Sequence, residues 1–160
     1  MTEESFIYKN HQAMVDDLSI ADRELSDVIE EIKSLYLSDQ RPWIIGFSGG
    51  KDSTTILSLI YCALLQLPKE KLSKHIYVVS SDTLVETPVV VDMILSVLDT
   101  INTQAAADNL PITAHPVRPK PDQTFWVNLL GRGYPAPTQT FRWCTERMKI
   151  NPVSEFILDK

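Results

Sequence analysis

The chain has 160 residues, one domain's worth, with an ordinary 44% of apolar residues and a net charge of −6. No apolar stretch approaches the roughly 20 residues that span a bilayer, the acidic N-terminus Met1-Thr2-Glu3-Glu4-Ser5 lacks a secretory core, and two cysteines cannot build a disulfide framework. The sequence therefore predicts a protein of a reducing, cytoplasmic setting with no membrane partner.

Val15, Leu18, Ala21, Leu25, Val28, Ile29, Ile32 and Leu35 fall at helical spacing and predict an amphipathic helix over 14–37 with an acidic outer face. Residues 1–39 hold ten acidic and three basic side chains. Asp39-Gln40-Arg41-Pro42 ends that helix. The apolar run Trp43 to Phe47 predicts a first strand. Thr54 to Leu67 is apolar-periodic and predicts a helix over about 53–66, closed by Pro68.

Between strand and helix lies Ser48-Gly49-Gly50-Lys51-Asp52-Ser53. Strand, Gly-rich turn and helix is the arrangement that points free backbone N–H groups at an anion. The glycines let the backbone approach closely. Lys51 can neutralise phosphate, and Ser48 and Ser53 offer hydroxyls. Asp52 adds a carboxylate suited to a bridging divalent cation such as Mg²⁺. A Walker A loop is excluded, because it needs four residues before its Gly-Lys pair and Ser or Thr after the Lys. Here only three residues lie between Gly46 and Gly50, and Asp52 follows Lys51. The plainer alternative, a turn that merely ends a strand, explains fewer of these six positions.

A second buried strand is predicted over 75–80, a turn at Ser81-Asp82-Thr83, a helix from about Thr87 to Asn109, and a third strand over 111–117. Pro116 places that last strand towards an edge. Alternating strands and helices predict an α/β fold, a parallel sheet with helices on both faces. Ligands of such sheets sit at the C-terminal ends of the strands, where both the Ser48–Ser53 loop and Asp82 fall. Asp82 would contact Mg²⁺ or a ribose there, or serve only as a turn residue.

Residues 118–152 are broken by Pro119, Pro121, Pro135, Pro137, Pro152, Gly131 and Gly133, with short helices expected over 123–130 and 142–150. Such a stretch suits a cover over a site. Residues 112–150 carry six basic side chains against Asp122 and Glu146, which could face a polyanion. The expected organisation is a helical segment over 1–40, a nucleotide-binding core over 41–118 and a loop-rich basic segment over 119–160.

The Ser48–Ser53 loop resembles the SGGxDS signature of the PP-loop ATP pyrophosphatases, of the adenine nucleotide α-hydrolase-like fold. Ser80-Ser81-Asp82-Thr83-Leu84-Val85-Glu86-Thr87-Pro88 resembles the corresponding segment of the PAPS-reductase-like branch. Phe125 to Pro137 and Phe141 to Ile150 are similar to the DndC family, the sulfurtransferases of bacterial DNA phosphorothioation. That resemblance runs from about residue 25 to the end. It implies that ATP with Mg²⁺ activates a DNA backbone phosphate as an adenylate, releasing pyrophosphate, and that sulfur from a cysteine desulfurase then displaces AMP. Partners of the DndD and DndE type are implied, and so is a 4Fe-4S cluster held by cysteines.

A Cys₄ cluster needs four thiolates. Cys62 sits mid-helix among apolar residues and reads as core, which leaves Cys144 alone as a persulfide carrier or cluster ligand, to be completed by residues outside this chain. The apolar-periodic segment 156–160 lacks a cap, the expectation for an N-terminal portion of a larger protein or a naturally short version. Arg142 and Arg147 flank Cys144 and would favour its thiolate. Arg142, Arg147 and Lys149 could also hold phosphates. His11, His75 and His115 share no spacing and read as structural. Trp126 and Trp143 read as core or loop anchors. Two other functions fit the loop: a PAPS-reductase-like or tRNA-thiolating enzyme, and a non-catalytic nucleotide-binding module of a modification or restriction complex. The intact Lys51, Asp52 and both serines weigh against a degenerate site.

Overall fold

The computed structural model describes residues 19–20 and 23–160. The chain divides into two compact units, residues 1–40 with 58–73 and residues 41–57 with 74–160.

In the first unit, β1 (Ser19–Ile20) and β2 (Arg23–Glu24) pair antiparallel and lead into α1 (Leu25–Leu37). The expected helix over 14–37 is thus shortened. Glu24, the residue before α1, is extended (φ −66°, ψ 142°), so the helix opens only at Leu25. His11, Val15, Leu18 and Ala21 lie outside the described residues. Leu25 and Ile29 pack with Ala63, flanked by Ile32, Leu59 and Cys62. Leu35, expected on the inner face, is 54% exposed, whereas Tyr36 is 1% exposed. The buried stripe steps through 25, 29, 32 and 36, and position 35 falls beside it. Cys62 is a half-buried core thiol, as its apolar neighbours predicted, and burial pushes its pKa up.

The second unit holds a three-stranded parallel sheet in the order β3 (Trp43–Gly46), β4 (Ile76–Ser81), β5 (Ile112–Val117). Two helices make the crossovers, α2 (Lys51–Leu65), whose later turns belong to the first unit, and α3 (Pro88–Ala107). β4 is central, with Ile76, Val78, Val79 and Ser80 buried, as a strand covered on both faces requires. β5 is an edge strand, consistent with Pro116 inside it. α3 stops where Asn109 takes a left-handed φ of 56°, with Leu110 N–H donating to Ala105 O (2.8 Å) and Asn109 N–H to Ala106 O (3.2 Å), a Schellman cap followed by Pro111.

By length and composition alone α3 could cross a membrane, with 20 residues and a mean hydropathy of 1.3, contrary to the sequence reading that no segment approaches this. Asp92 and Asp99 interrupt it, and its inner face is committed to the sheet. Leu98 and Ala105 are buried, and the Asn102 side chain clamps the Ala114 backbone, accepting from its N–H (2.7 Å) and donating to its C=O (3.0 Å).

On the opposite sheet face lies α5 (Asn151–Leu158), continuous with the helical turn α4 (Trp143–Thr145) through a π-helical turn Glu146–Ile150. Phe156 sets its ring against Tyr77 (5.7 Å between centroids) and His115 (5.2 Å). Helices thus cover both faces of a Rossmann-like α/β sheet. Beneath α5, His75 and His115 both direct Nε2 at Thr113 Oγ1 (2.8 and 2.9 Å). Burial lowers both imidazole pKa values. For His75 the neighbouring His115 and then Lys160 add to this, and for His115 Lys160 does. A folded pKa below the unfolded one means that the folded state favours neutral imidazole. Its stability is complete above about pH 6.5 and is lost as pH falls through the folded values. Melting temperature should therefore drop from pH 7.5 to pH 5.5, and His75→Gln with His115→Gln should flatten that dependence. A drop of equal size in the double variant would assign it to other groups.

Candidate anion-binding loop at the strand ends

β3 delivers the chain into the site. Phe47 is buried and its N–H donates to Val79 O (2.8 Å), which fixes Ser48 beside the end of β4. Gly49 then turns the backbone at φ +73°, a region L side chains rarely adopt, and a Cβ there would face Ile94 of α3 at 4.0 Å. The loop folds on itself. Ser53 Oγ donates to Gly50 O (3.0 Å), lies 3.2 Å from Ser48 Oγ and accepts from Ser48 N–H (3.3 Å). Both serine hydroxyls brace the turn as well as lining it. α2 opens directly at Lys51, two residues earlier than the periodicity indicated, so its first-turn N–H groups project from this loop.

Lys51 and Asp52 are exposed, and neither forms an ion pair among the described residues. Ser48 and Gly50 N–H are taken by the serine hydroxyls, so the loop offers the N–H groups of the first helical turn, one cation and a helix N-terminus, the chemistry that fits a phosphate chain. Asp52, exposed in the first turn, could serve a divalent cation held by those phosphates, and it also complements the helix dipole. Gly49→Ala should cost about 1 kcal/mol through its left-handed backbone, measured as a lower unfolding midpoint. An unchanged midpoint would mean that the turn relaxes without strain.

Asp82 lies on the same edge, at the end of β4. Its N–H donates to Val117 O (2.9 Å), its Oδ1 accepts from Leu84 N–H (3.1 Å) and its Oδ2 accepts from Arg118 Nε–H (2.8 Å). Its carboxylate is 9% exposed. It therefore works here as a turn residue paired with a cation, and a metal or ribose would share it with Arg118. Arg118 joins this edge from the end of β5, a neighbour the sequence reading counted only within the basic stretch. Leu84 takes a φ of 61°, unusual for its type, while the buried Thr83 hydroxyl donates to the Glu86 carboxylate (2.7 Å). The turn over 82–86 follows β4 at the same C-terminal sheet edge as the glycine loop.

The basic segment is ordered by aromatic packing. Trp143 is buried, stacks on Phe125 (5.4 Å), takes Tyr134 edge-on (5.4 Å) and donates Nε1–H to Pro135 O (2.9 Å). It is the loop anchor expected, whereas Trp126 is 54% exposed and meets Phe125 edge-on (5.1 Å between centroids). Asn128, fully buried, donates to Thr124 O (2.9 Å) within the π-helical turn Val127–Gly131. Cys144 is half-buried on α4, and its sulfur has no hydrogen bond among the described residues. Arg142 donates to Gln139 O (3.1 Å), while Arg147 reaches Gln123 and Tyr134. Both flanking guanidiniums are thus bonded elsewhere than Cys144.

Among the described residues no group of three or more His, Cys, Asp or Glu side chains is placed to hold a metal. A four-thiolate cluster does not fit this chain, since Cys62 is packed in a helix–helix core and Cys144 stands alone.

No family model matches the chain, and no solved structure does. The chain is similar to the uncharacterized protein MJ0066 of Methanocaldococcus jannaschii, with 28% identity over 156 residues. That alignment covers 94% of this chain and 28% of the relative's length. The fold is α/β, with a glycine turn and a helix N-terminus at the C-terminal end of the first strand of a parallel sheet.

Proposed function

We propose that this chain carries the ATP-cleaving site of a DNA phosphorothioation sulfurtransferase of the DndC type, acting in the cytoplasm. The observation that carries the reading is the Ser48–Ser53 loop, self-braced, turned at Gly49 and opening α2 with Lys51 and Asp52 unpaired among the described residues. The resemblance of Phe125 to Pro137 and Phe141 to Ile150 to that family selects DNA over the other substrates of PP-loop enzymes.

On this reading the N–H groups of the first helical turn hold the phosphates of ATP, and Lys51 counters charge that develops on the departing pyrophosphate. Mg²⁺, held with help from Asp52, would supply further charge neutralisation across the phosphates. Cleavage between the α and β phosphates transfers AMP to a backbone phosphate oxygen of DNA and releases pyrophosphate. The outer sulfur of a Cys144 persulfide attacks the adenylated phosphorus and expels AMP, and a thiol from outside this chain then reduces the remaining S–S bond, forming a disulfide with Cys144 and leaving sulfur in place of a non-bridging oxygen. Cys144 is the one thiol of the basic segment and would carry that sulfur, received from a cysteine desulfurase. A 4Fe-4S cluster, and DndD- or DndE-type partners, would come from outside this chain. The chain spans less than a third of the length of the relative it matches.

The test is phosphorothioate analysis of DNA from cells with and without the gene. The reading expects sulfur-bearing linkages only when the gene is present. Linkages that persist after its deletion, or DNA unmodified in both strains while a transfer RNA loses a thiolated base, would reject it.

A further inference from the structure

The basic segment holds a cleft of about 260 Å³, lined by Lys120, Gln123, Arg147, Asn151, Pro152 and Glu155. It lies between the turn Pro121–Gln123 and the start of α5. It is smaller than the about 300–1,000 Å³ of sites that enclose a drug-sized ligand, so it suits a compact group rather than a nucleotide.

The charges around it do not cancel. Arg132 is paired with Asp122 (3.1 Å), and Lys120 with Glu155 (2.6 Å). Arg147 is half-buried, and among the described residues its hydrogen bonds go to neutral oxygens, Gln123 Oε1 and Tyr134 Oη (2.9 Å). Its guanidinium also lies over the Tyr134 ring, 5.3 Å from the centroid. These contacts fix the guanidinium in place without neutralising it. The Gln123 carbonyl oxygen is further shared with Arg132 (3.4 Å), so its orientation is set from two sides. The Lys120–Glu155 pair is exposed at both ends, and such pairs are weakly held. Lys120 can therefore turn from Glu155 to an incoming anion at little cost, while the Asn151 amide at the rim offers N–H donors. A preorganised, unneutralised guanidinium beside a releasable ammonium is the donor set that binds tetrahedral oxyanions.

We propose that this cleft is a second anion site, separate from the Ser48–Ser53 loop, that binds a phosphate group through Arg147 and Lys120. The phosphate is either free in solution or part of a nucleic-acid backbone. The inference stands on the cleft's own charges and does not depend on what the loop does with ATP.

Inorganic phosphate titrated into the full chain at constant ionic strength tests it, read by NMR on the side-chain amides of Gln123 and Asn151. These signals report the cleft and not the loop. They should shift and saturate, and Arg147→Gln should weaken the apparent affinity by about tenfold, as loss of a charged hydrogen bond implies. Lys51→Ala should leave it unchanged. Because Arg147 also anchors Tyr134, the exposed Lys120→Gln is the second variant, and it should weaken binding without disturbing the fold. A short DNA duplex that shifts the same signals and competes with phosphate identifies the source as nucleic acid. A duplex that neither shifts these signals nor competes with phosphate identifies the source as free phosphate. Signals that do not saturate, or that saturate alike in Arg147→Gln and Lys120→Gln, overturn the proposal.

Discussion

Lys51→Ala is expected to slow ATP cleavage by about 10²-fold or more, because it removes a charge-assisted contact to phosphate where charge builds in the transition state. Its ammonium is exposed and has no ion-pair partner among the described residues, so the substitution leaves no buried charge stranded and α2 keeps its backbone bonds. Alanine is also a good helix former at this first-turn position. The fold should therefore survive, and the loss should appear in the rate rather than in the melting temperature. The measurement is turnover of ATP by the assembled complex with wild-type or variant chain. An unchanged rate would remove Lys51 from the chemistry.

Cys144→Ser is expected to abolish phosphorothioate formation in cells while nucleotide affinity stays close to wild type. Serine nearly preserves the volume of the half-buried side chain on α4 but cannot form a persulfide. The buried ring of the adjacent Trp143 holds that turn regardless of the thiol. Continued DNA modification by the variant would make Cys144 a structural residue.

Much of the second unit was legible in the sequence for a physical reason. Its strands are short β-branched and aromatic runs, and each is followed by a strong turn, so period and punctuation agree at Phe47–Ser48, Ser81–Asp82 and Val117–Arg118. The loop was legible because its chemistry is local, six consecutive residues between a strand and a helix. What escaped depended on distant partners. That Arg118 would occupy Asp82, or that Arg147 would rest on Gln123 and Tyr134 rather than beside Cys144, follows from the packing of segments tens of residues apart. The start of α1 was misplaced because apolar residues at helical spacing continue through 15–21, although Glu24 is extended and the helix begins only at Leu25. The π-helical turns at 127–131 and 146–150 were missed because the helical periods used to read a sequence assume 3.6 residues per turn.

The product of ATP cleavage decides whether the Ser48–Ser53 loop serves an ATP pyrophosphatase. ATP labelled in its α and γ phosphates, incubated with Mg²⁺ and the complex containing this chain, should yield labelled AMP and labelled pyrophosphate in equal amounts. Labelled ADP with inorganic phosphate would place the cut between β and γ and rule out an ATP pyrophosphatase.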